Sequence, residues 1–205
     1  MIAIVDYGVG NLFSIRCSFE YIGAECEITA DPVRIKNSSK IVLPGVGAFG
    51  DAAARLHETG LDEVVTEQAK SGKALLGVCL GMQLLYEKSY EYGEHSGLGL
   101  IPGEVVPFTE EKLGAPLKIP HMGWNDLAFL KDSPLWGRIS KGAFVYYVHS
   151  YYAAVSQNTV ASSRYGNIEV TGLVQRDNVF GAQFHPEKSG SVGLAILQSF
   201  AEYRG

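Results

Sequence analysis

The stretch Ala74-Leu75-Leu76-Gly77-Val78-Cys79-Leu80-Gly81-Met82-Gln83-Leu84-Leu85 changes character at its cysteine. Residues 74–78 are an apolar run of strand length, and a helical pattern begins immediately after Cys79, so the thiol falls on the turn between them. Gly77 and Gly81 stand two residues to either side, the spacing of a nucleophile elbow whose central residue is serine. Glycine there removes the side chains that would clash in so sharp a turn. A sulfur so placed faces the start of the following helix, where unpaired N–H groups and the helix dipole favour a thiolate. A free cysteine taken alone is more often a buried structural thiol. The glycines, the preceding strand and the abrupt change of pattern make Cys79 a candidate nucleophile, whereas Cys17 and Cys26 lack that setting and read as core or surface residues.

A nucleophile needs a base, and Phe180-Gly181-Ala182-Gln183-Phe184-His185-Pro186-Glu187 supplies one after a strand-like stretch. Side chains two apart on extended backbone share a side. Glu187 can therefore hold the His185 imidazole in the tautomer that takes a thiol proton. His57, His95, His121 and His149 have no acid at that spacing and read as non-catalytic. Pro44-Gly45-Val46-Gly47 follows a buried strand; it reads as an ordinary turn or as an oxyanion hole, because glycine lets a peptide N–H point at a substrate oxygen. Gly8-Val9-Gly10-Asn11 follows the first strand, but position 13 is Phe, so the dinucleotide fingerprint Gly-x-Gly-x-x-Gly is absent.

Bulk properties narrow the class. A chain of 205 residues is expected to form one domain, 1–205, with a sizeable core. Hydrophobic residues make up 46% and charged ones 19%, and a net charge of -5 leaves no footprint for nucleic acid or an anionic membrane. The opening Met1-Ile2-Ala3-Ile4-Val5-Asp6 reads as a strand without a basic leader, and no apolar run approaches the ~20 residues that span a bilayer. A cytoplasmic location is the expectation. Three cysteines at unrelated spacings give neither a disulfide framework nor a zinc pattern, and no metal or other cofactor is expected.

Strand-like and helix-like segments alternate through the first half, which implies parallel strands with helical crossovers. Strands are expected at 2–5, 26–29, 40–43 and 74–78. Helices are expected after Asn11, which can cap the first, after Asp31-Pro32, and near 51–58 and 61–71. From about residue 100 the texture changes to short strands at 104–108, 143–152, 159–165, 169–175 and 178–184, a mixed or antiparallel extension. An amphipathic helix over 191–203 closes the chain.

Taken together, Pro44-Gly45-Val46-Gly47, Gly77-Val78-Cys79-Leu80-Gly81-Met82-Gln83 and His185-Pro186-Glu187 resemble the class I (triad) glutamine amidotransferases. Asp6-Tyr7-Gly8-Val9-Gly10-Asn11-Leu12, Pro120-His121-Met122-Gly123-Trp124-Asn125 and Glu187-Lys188-Ser189 narrow the resemblance to the glutaminase subunits of imidazole glycerol phosphate synthases, over essentially the whole chain. The resemblance implies an α/β, flavodoxin-like fold with helices on both faces of a mostly parallel sheet. It implies that Cys79 attacks the carboxamide of glutamine to give a glutamyl thioester, with His185 moving protons and Glu187 orienting it. The oxyanion would be held by N–H groups of Leu80 and of the Val46–Gly47 segment. Gly45, Gln83 and Glu91 would bind glutamine, and the chain near Tyr146 would line its pocket. The implied partner is a (β/α)8-barrel cyclase forming a heterodimer, docked through Asn11, Trp124 and Lys188, that receives ammonia and makes imidazole glycerol phosphate and aminoimidazole carboxamide ribonucleotide. The implied resting activity is weak, because a Gly45–Gly47 peptide points away from the oxyanion. Amidotransferases of pyridoxal phosphate or anthranilate synthesis share the triad but not the 6–12 and 120–125 segments. A non-catalytic module of the same fold would not need an intact Cys79, His185 and Glu187, and a flavodoxin-like electron carrier would be coloured.

Overall fold

Alternation along short parallel strands decides which helix covers which face of the sheet. In the computed structural model, which describes residues 1–205, β1 (Ile2–Val5), β3 (Lys40–Leu43) and β4 (Ala74–Val78) are buried on both sides. Ala3, Val5, Ile41, Leu43 and Leu75 point to one face and pack with Ile35, Phe49, Leu56 and Val65. Ile2, Ile4, Val42, Leu76 and Val78 point to the other and pack with Ile15, Phe19, Ile196 and Phe200. The period of two thus splits one sheet into two apolar surfaces, each needing a helical cover. The first cover is α2 (Pro32–Asn37), α3 (Phe49–Glu58) and α4 (Leu61–Lys70); the second is α1 (Leu12–Tyr21) and α7 (Gly190–Glu202).

With β2 (Cys26–Thr29), the sheet runs β2-β1-β3-β4-β14-β13-β12-β9, where β9 is Ala128–Phe129, β12 Thr159–Tyr165, β13 Ile168–Arg176 and β14 Val179–Ala182. Pairing is parallel from β2 to β14 and antiparallel beyond it. The order of the parallel part, 2-1-3-4-5, is the flavodoxin-like one. After the short helix α5 (Leu80–Leu84), a four-stranded sheet gathers β5 (Tyr86–Ser89), β6 (His95–Ser96), β7 (Ile101–Pro107) and β11 (Tyr151–Ala153). Helix α6 (Glu110–Leu113) follows β7, and β8 (His121–Asp126) pairs only with β10 (Phe144–His149).

The strand expected over 143–152 is two strands in different sheets, interrupted at Ser150. Asn11 stands at the N-cap of α1, but its side chain makes no capping hydrogen bond and stays half-buried. No helix is long and apolar enough to cross a membrane.

Candidate active site

Cys79 sits between β4 and α5 with φ 54° and ψ -111°, a positive φ that non-glycine residues rarely adopt. Neighbouring chain holds it there: its N–H donates to the Ala182 carbonyl of β14 at 2.7 Å, and its own carbonyl accepts from Gln83 N–H at 3.2 Å. Both flanking glycines answer to close approaches. A Cβ on Gly81 would lie 1.9 Å from the Leu43 oxygen, and one on Gly77 would lie 2.6 Å from the Gly81 oxygen. The helix expected after Cys79 forms as α5, and it runs only five residues before the chain turns into β5. What lies beside the sulfur is the first turn of N–H groups, Leu80 foremost, without a carbonyl one turn earlier in the helix to accept them.

His185 follows β14, the strand that neighbours β4, and this parallel pairing brings residues 79 and 185 together across more than 100 positions. Its Nδ1 lies 2.8 Å from Glu187 Oε1, and its side chain is 3% exposed against 1% for the glutamate. That bond commits Nδ1 to the carboxylate and leaves Nε2 for the sulfur. Burial lowers the His185 pKa, but hydrogen bonds and charge from Cys79 and Glu187 outweigh it, and the value is pushed up to about 10. The backbone is fixed as well: His185 N–H donates to Tyr146 O, Ser189 Oγ donates to His185 O, and Tyr146 N–H donates to Ser189 Oγ.

A cavity of about 210 Å³ opens over the sulfur, lined by Val46, Gly47, Cys79, Leu80, Gln83, Glu91, Val148, His149, Ser150, Tyr151 and His185. Of the residues expected to bind glutamine or its oxyanion, Val46, Gly47, Leu80, Gln83 and Glu91 line it. Gln83 Nε2 donates to Tyr151 O and to Gln183 Oε1, both at 3.0 Å, which directs its Oε1 away from those acceptors. Burial raises the Glu91 carboxyl pKa, while the hydrogen bond its Oε2 accepts from Phe49 N–H at 2.6 Å counters it. Gly45 lies behind the wall against Gly81 and Leu80 rather than on its surface.

Tyr146 does not line the cavity. Its ring lies edge-on to Trp124 across the β8–β10 ladder, 6.0 Å between centroids, and only its backbone serves the site, through His185 and Ser189. The wall is instead Val148–Tyr151, where β10 ends. Trp124 is 56% exposed, so core packing does not explain it; Lys188 is exposed and Asn11 half-exposed, on the 3-10 turn Pro186–Lys188 and at the start of α1, which pack against each other.

The sequence points to the chain near Tyr146 as pocket lining but not to the individual wall residues Val148, Ser150 and Tyr151 or to the role of His149. His121 and His149 are register partners on β8 and β10, with His121 Nδ1 and His149 Nε2 at 2.9 Å. The Tyr151 carbonyl can only accept, so His149 Nδ1 donates to it at 2.8 Å; His149 Nε2 then accepts from His121 Nδ1, and His121 Nε2 faces the Asn125 amide at 3.2 Å. Burial drives both pKa values down, to about 3 and about 4, so the pair stays neutral and its tautomers are fixed. Only the spacing of a potential cross-strand ladder could have signalled this, and the sequence does not announce its register.

The model of the family "Glutamine amidotransferase class-I" matches residues 3–202. A protein of Wolinella succinogenes named imidazole glycerol phosphate synthase subunit HisH is 49% identical over 204 residues, covering 98% of this chain and 99% of its own. One of the same name from Bacillus cereus is 52% identical over 201 residues, covering 98% and 93%. Among solved structures, PurLQS from Thermotoga maritima matches with TM-score 0.76 at 22% identity, covering 97% of this chain and 96% of its own. A structure described as a glutamine amidotransferase matches with TM-score 0.73 at 19% identity, covering 98% and 99%. At those identities the structures speak for the fold alone, while the sequence matches reach further. The chain belongs to the class I glutamine amidotransferases, in the family of imidazole glycerol phosphate synthase HisH subunits.

Proposed function

We propose that this chain hydrolyses glutamine to glutamate and ammonia and passes the ammonia to the cyclase subunit of imidazole glycerol phosphate synthase, in histidine biosynthesis. The carrying observation is His185, buried between Glu187 and Cys79 at the floor of a small cavity that the Val46–Gly47 segment and Leu80 also line. His185 takes the Cys79 proton, so the attacking group is the thiolate.

The thiolate adds to the carboxamide carbon, and the C=O electrons move onto oxygen. Leu80 N–H and an N–H of the Val46–Gly47 segment stabilise that oxyanion. His185 gives its proton to the departing nitrogen, ammonia leaves, and a glutamyl thioester remains. The now neutral imidazole takes a proton from water as the hydroxide adds; collapse expels the thiolate and releases glutamate, and the imidazolium–thiolate pair is restored. Glu187 holds the His185 Nδ1–H and stabilises the imidazolium. Glu91 and the Gln83 Oε1 are both acceptors lining the cavity, and they suit the ammonium of the amino acid, with Glu91 pairing its charge.

Ammonia must reach its acceptor before it is protonated in bulk water, which explains a docked cyclase. Met122 and Trp124, exposed on β8, offer it an apolar anchor, and Lys188 and Asn11 offer it polar contacts. The test is glutamate release by the purified chain, alone and with a (β/α)8-barrel cyclase and its nucleotide ligand, with Cys79→Ala as control. Strong, cysteine-dependent stimulation is expected. Appreciable activity that the cyclase does not change would assign the chain to another amidotransferase pathway, and no activity in any mixture would reject catalysis.

A further inference from the structure

The segment that follows β3 is held at both ends by side chains from other loops. At its start, the Tyr7 hydroxyl, from the loop between β1 and α1, donates to the Pro44 carbonyl at 2.8 Å. Tyr7 is 3% exposed, and burial first, then the nearby charge of Cys79, raise its phenol pKa well above the usual value, so the proton stays on oxygen and the group remains a donor. At the other end, Glu91 accepts from Phe49 N–H. Between these anchors Val46 is 41% exposed and Gly47 has φ +93°, with nothing within 4 Å of where its Cβ would be. Gly45 is wedged: a Cβ there would lie 2.8 Å from Gly81 N, 2.9 Å from Leu80 Cβ and 3.0 Å from the Tyr7 hydroxyl.

We propose that Tyr7 is a positioning residue for the oxyanion segment, fixing the Pro44–Gly45 peptide so that the peptides on either side of Val46 present their N–H groups from a defined base. A planar trans peptide sets its N–H opposite its carbonyl, so a hydroxyl that fixes the Pro44 oxygen also fixes the direction of Gly45 N–H. Freedom is left to the next two peptides, where Gly45 and Gly47 supply it. Tyr7 shares its loop with Asn11, so a partner seated on Asn11 reaches the oxyanion segment through four residues of backbone and one hydrogen bond. This role rests on the glutaminase reading above, and Tyr7 touches no reacting atom in it.

The experiment is Tyr7→Phe in the full chain with the liganded cyclase, which removes one oxygen and keeps the buried ring. Hydrolysis of glutamine is compared with alkylation of Cys79 by iodoacetamide, a displacement that forms no tetrahedral oxyanion. Both rates refer to the fraction folded by circular dichroism. The expected result is kcat at least fivefold lower, KM within twofold and alkylation within twofold of wild type. A smaller change in kcat, a change confined to KM, or alkylation falling in parallel with kcat would overturn the role, the last because Tyr7 would then act on the thiol. If wild type hydrolyses glutamine and the variant matches it, only this role falls. If wild type with cyclase hydrolyses none, the reading beneath it falls too.

Discussion

In the proposed mechanism three side chains bear the chemistry, and their burial sets how each substitution should act. Cys79→Ala removes the attacking atom while keeping Cβ, and glutamate release should fall by at least ~10³-fold with the circular dichroism spectrum unchanged. Glu187→Gln keeps a polar partner near His185 Nδ1 but deletes the charge that favours imidazolium; kcat should drop by about 10²- to 10⁴-fold, seen in steady-state glutamate release. His185 has a folded-state pKa of about 10 against an ordinary 6.5. A raised pKa means that its contribution to stability is fully present below about pH 6.5 and is lost as the pH rises through 10. The gap in urea midpoint between wild type and His185→Gln should therefore shrink between those values. A gap that widens with pH would contradict the ion-paired site. The residues of this scale were legible because elbow and base announce themselves within a few positions of chain. The Tyr7 hydroxyl was not: nothing near position 7 signals that β3 ends beside it.

At the scale of elements, the elbow depends on how closely α5 approaches the end of β3. The Gly81 Cα hydrogen occupies space where any Cβ would meet the Leu43 carbonyl, a backbone atom that cannot swing aside. Gly81→Ala should destabilise the fold by about 3 kcal/mol or more, or prevent folding, measured by urea unfolding. By contrast Gly60→Ala, at a half-buried left-handed position with open space where the Cβ would lie, should lose only about 1 kcal/mol, from its φ of +68°. The strands of the parallel half were legible from apolar runs punctuated by glycine and proline. The 143–152 segment was misread as one strand because both halves have strand composition. The break at Ser150 arises where β10 leaves its partner β8 and β11 joins β7, a matter of tertiary pairing. That break forms the cavity wall, so the misread boundary and the missed wall residues Val148–Tyr151 are the same event.

Across the whole molecule, the candidate active site lies where strands β1, β3, β4 and β14 all end, and the proposed docking face lies alongside it. Trp124→Ala should weaken cyclase binding by about 2 kcal/mol or more by isothermal titration calorimetry, while thermal stability stays close to wild type because the ring is already largely exposed. The sequence by itself determined the parallel α/β sheet, the elbow cysteine and the His-x-Glu pair, since each is written in local periodicity, glycine placement or a two-residue spacing. Only the tertiary structure decided that His149 and Tyr151 wall the cavity, that His121 and His149 lock each other's tautomers, that Tyr146 stands aside, and that Tyr7 holds Pro44. Those facts depend on strand register and on loops meeting from distant parts of the chain, and contact between residues far apart in sequence leaves no mark on the local pattern of either.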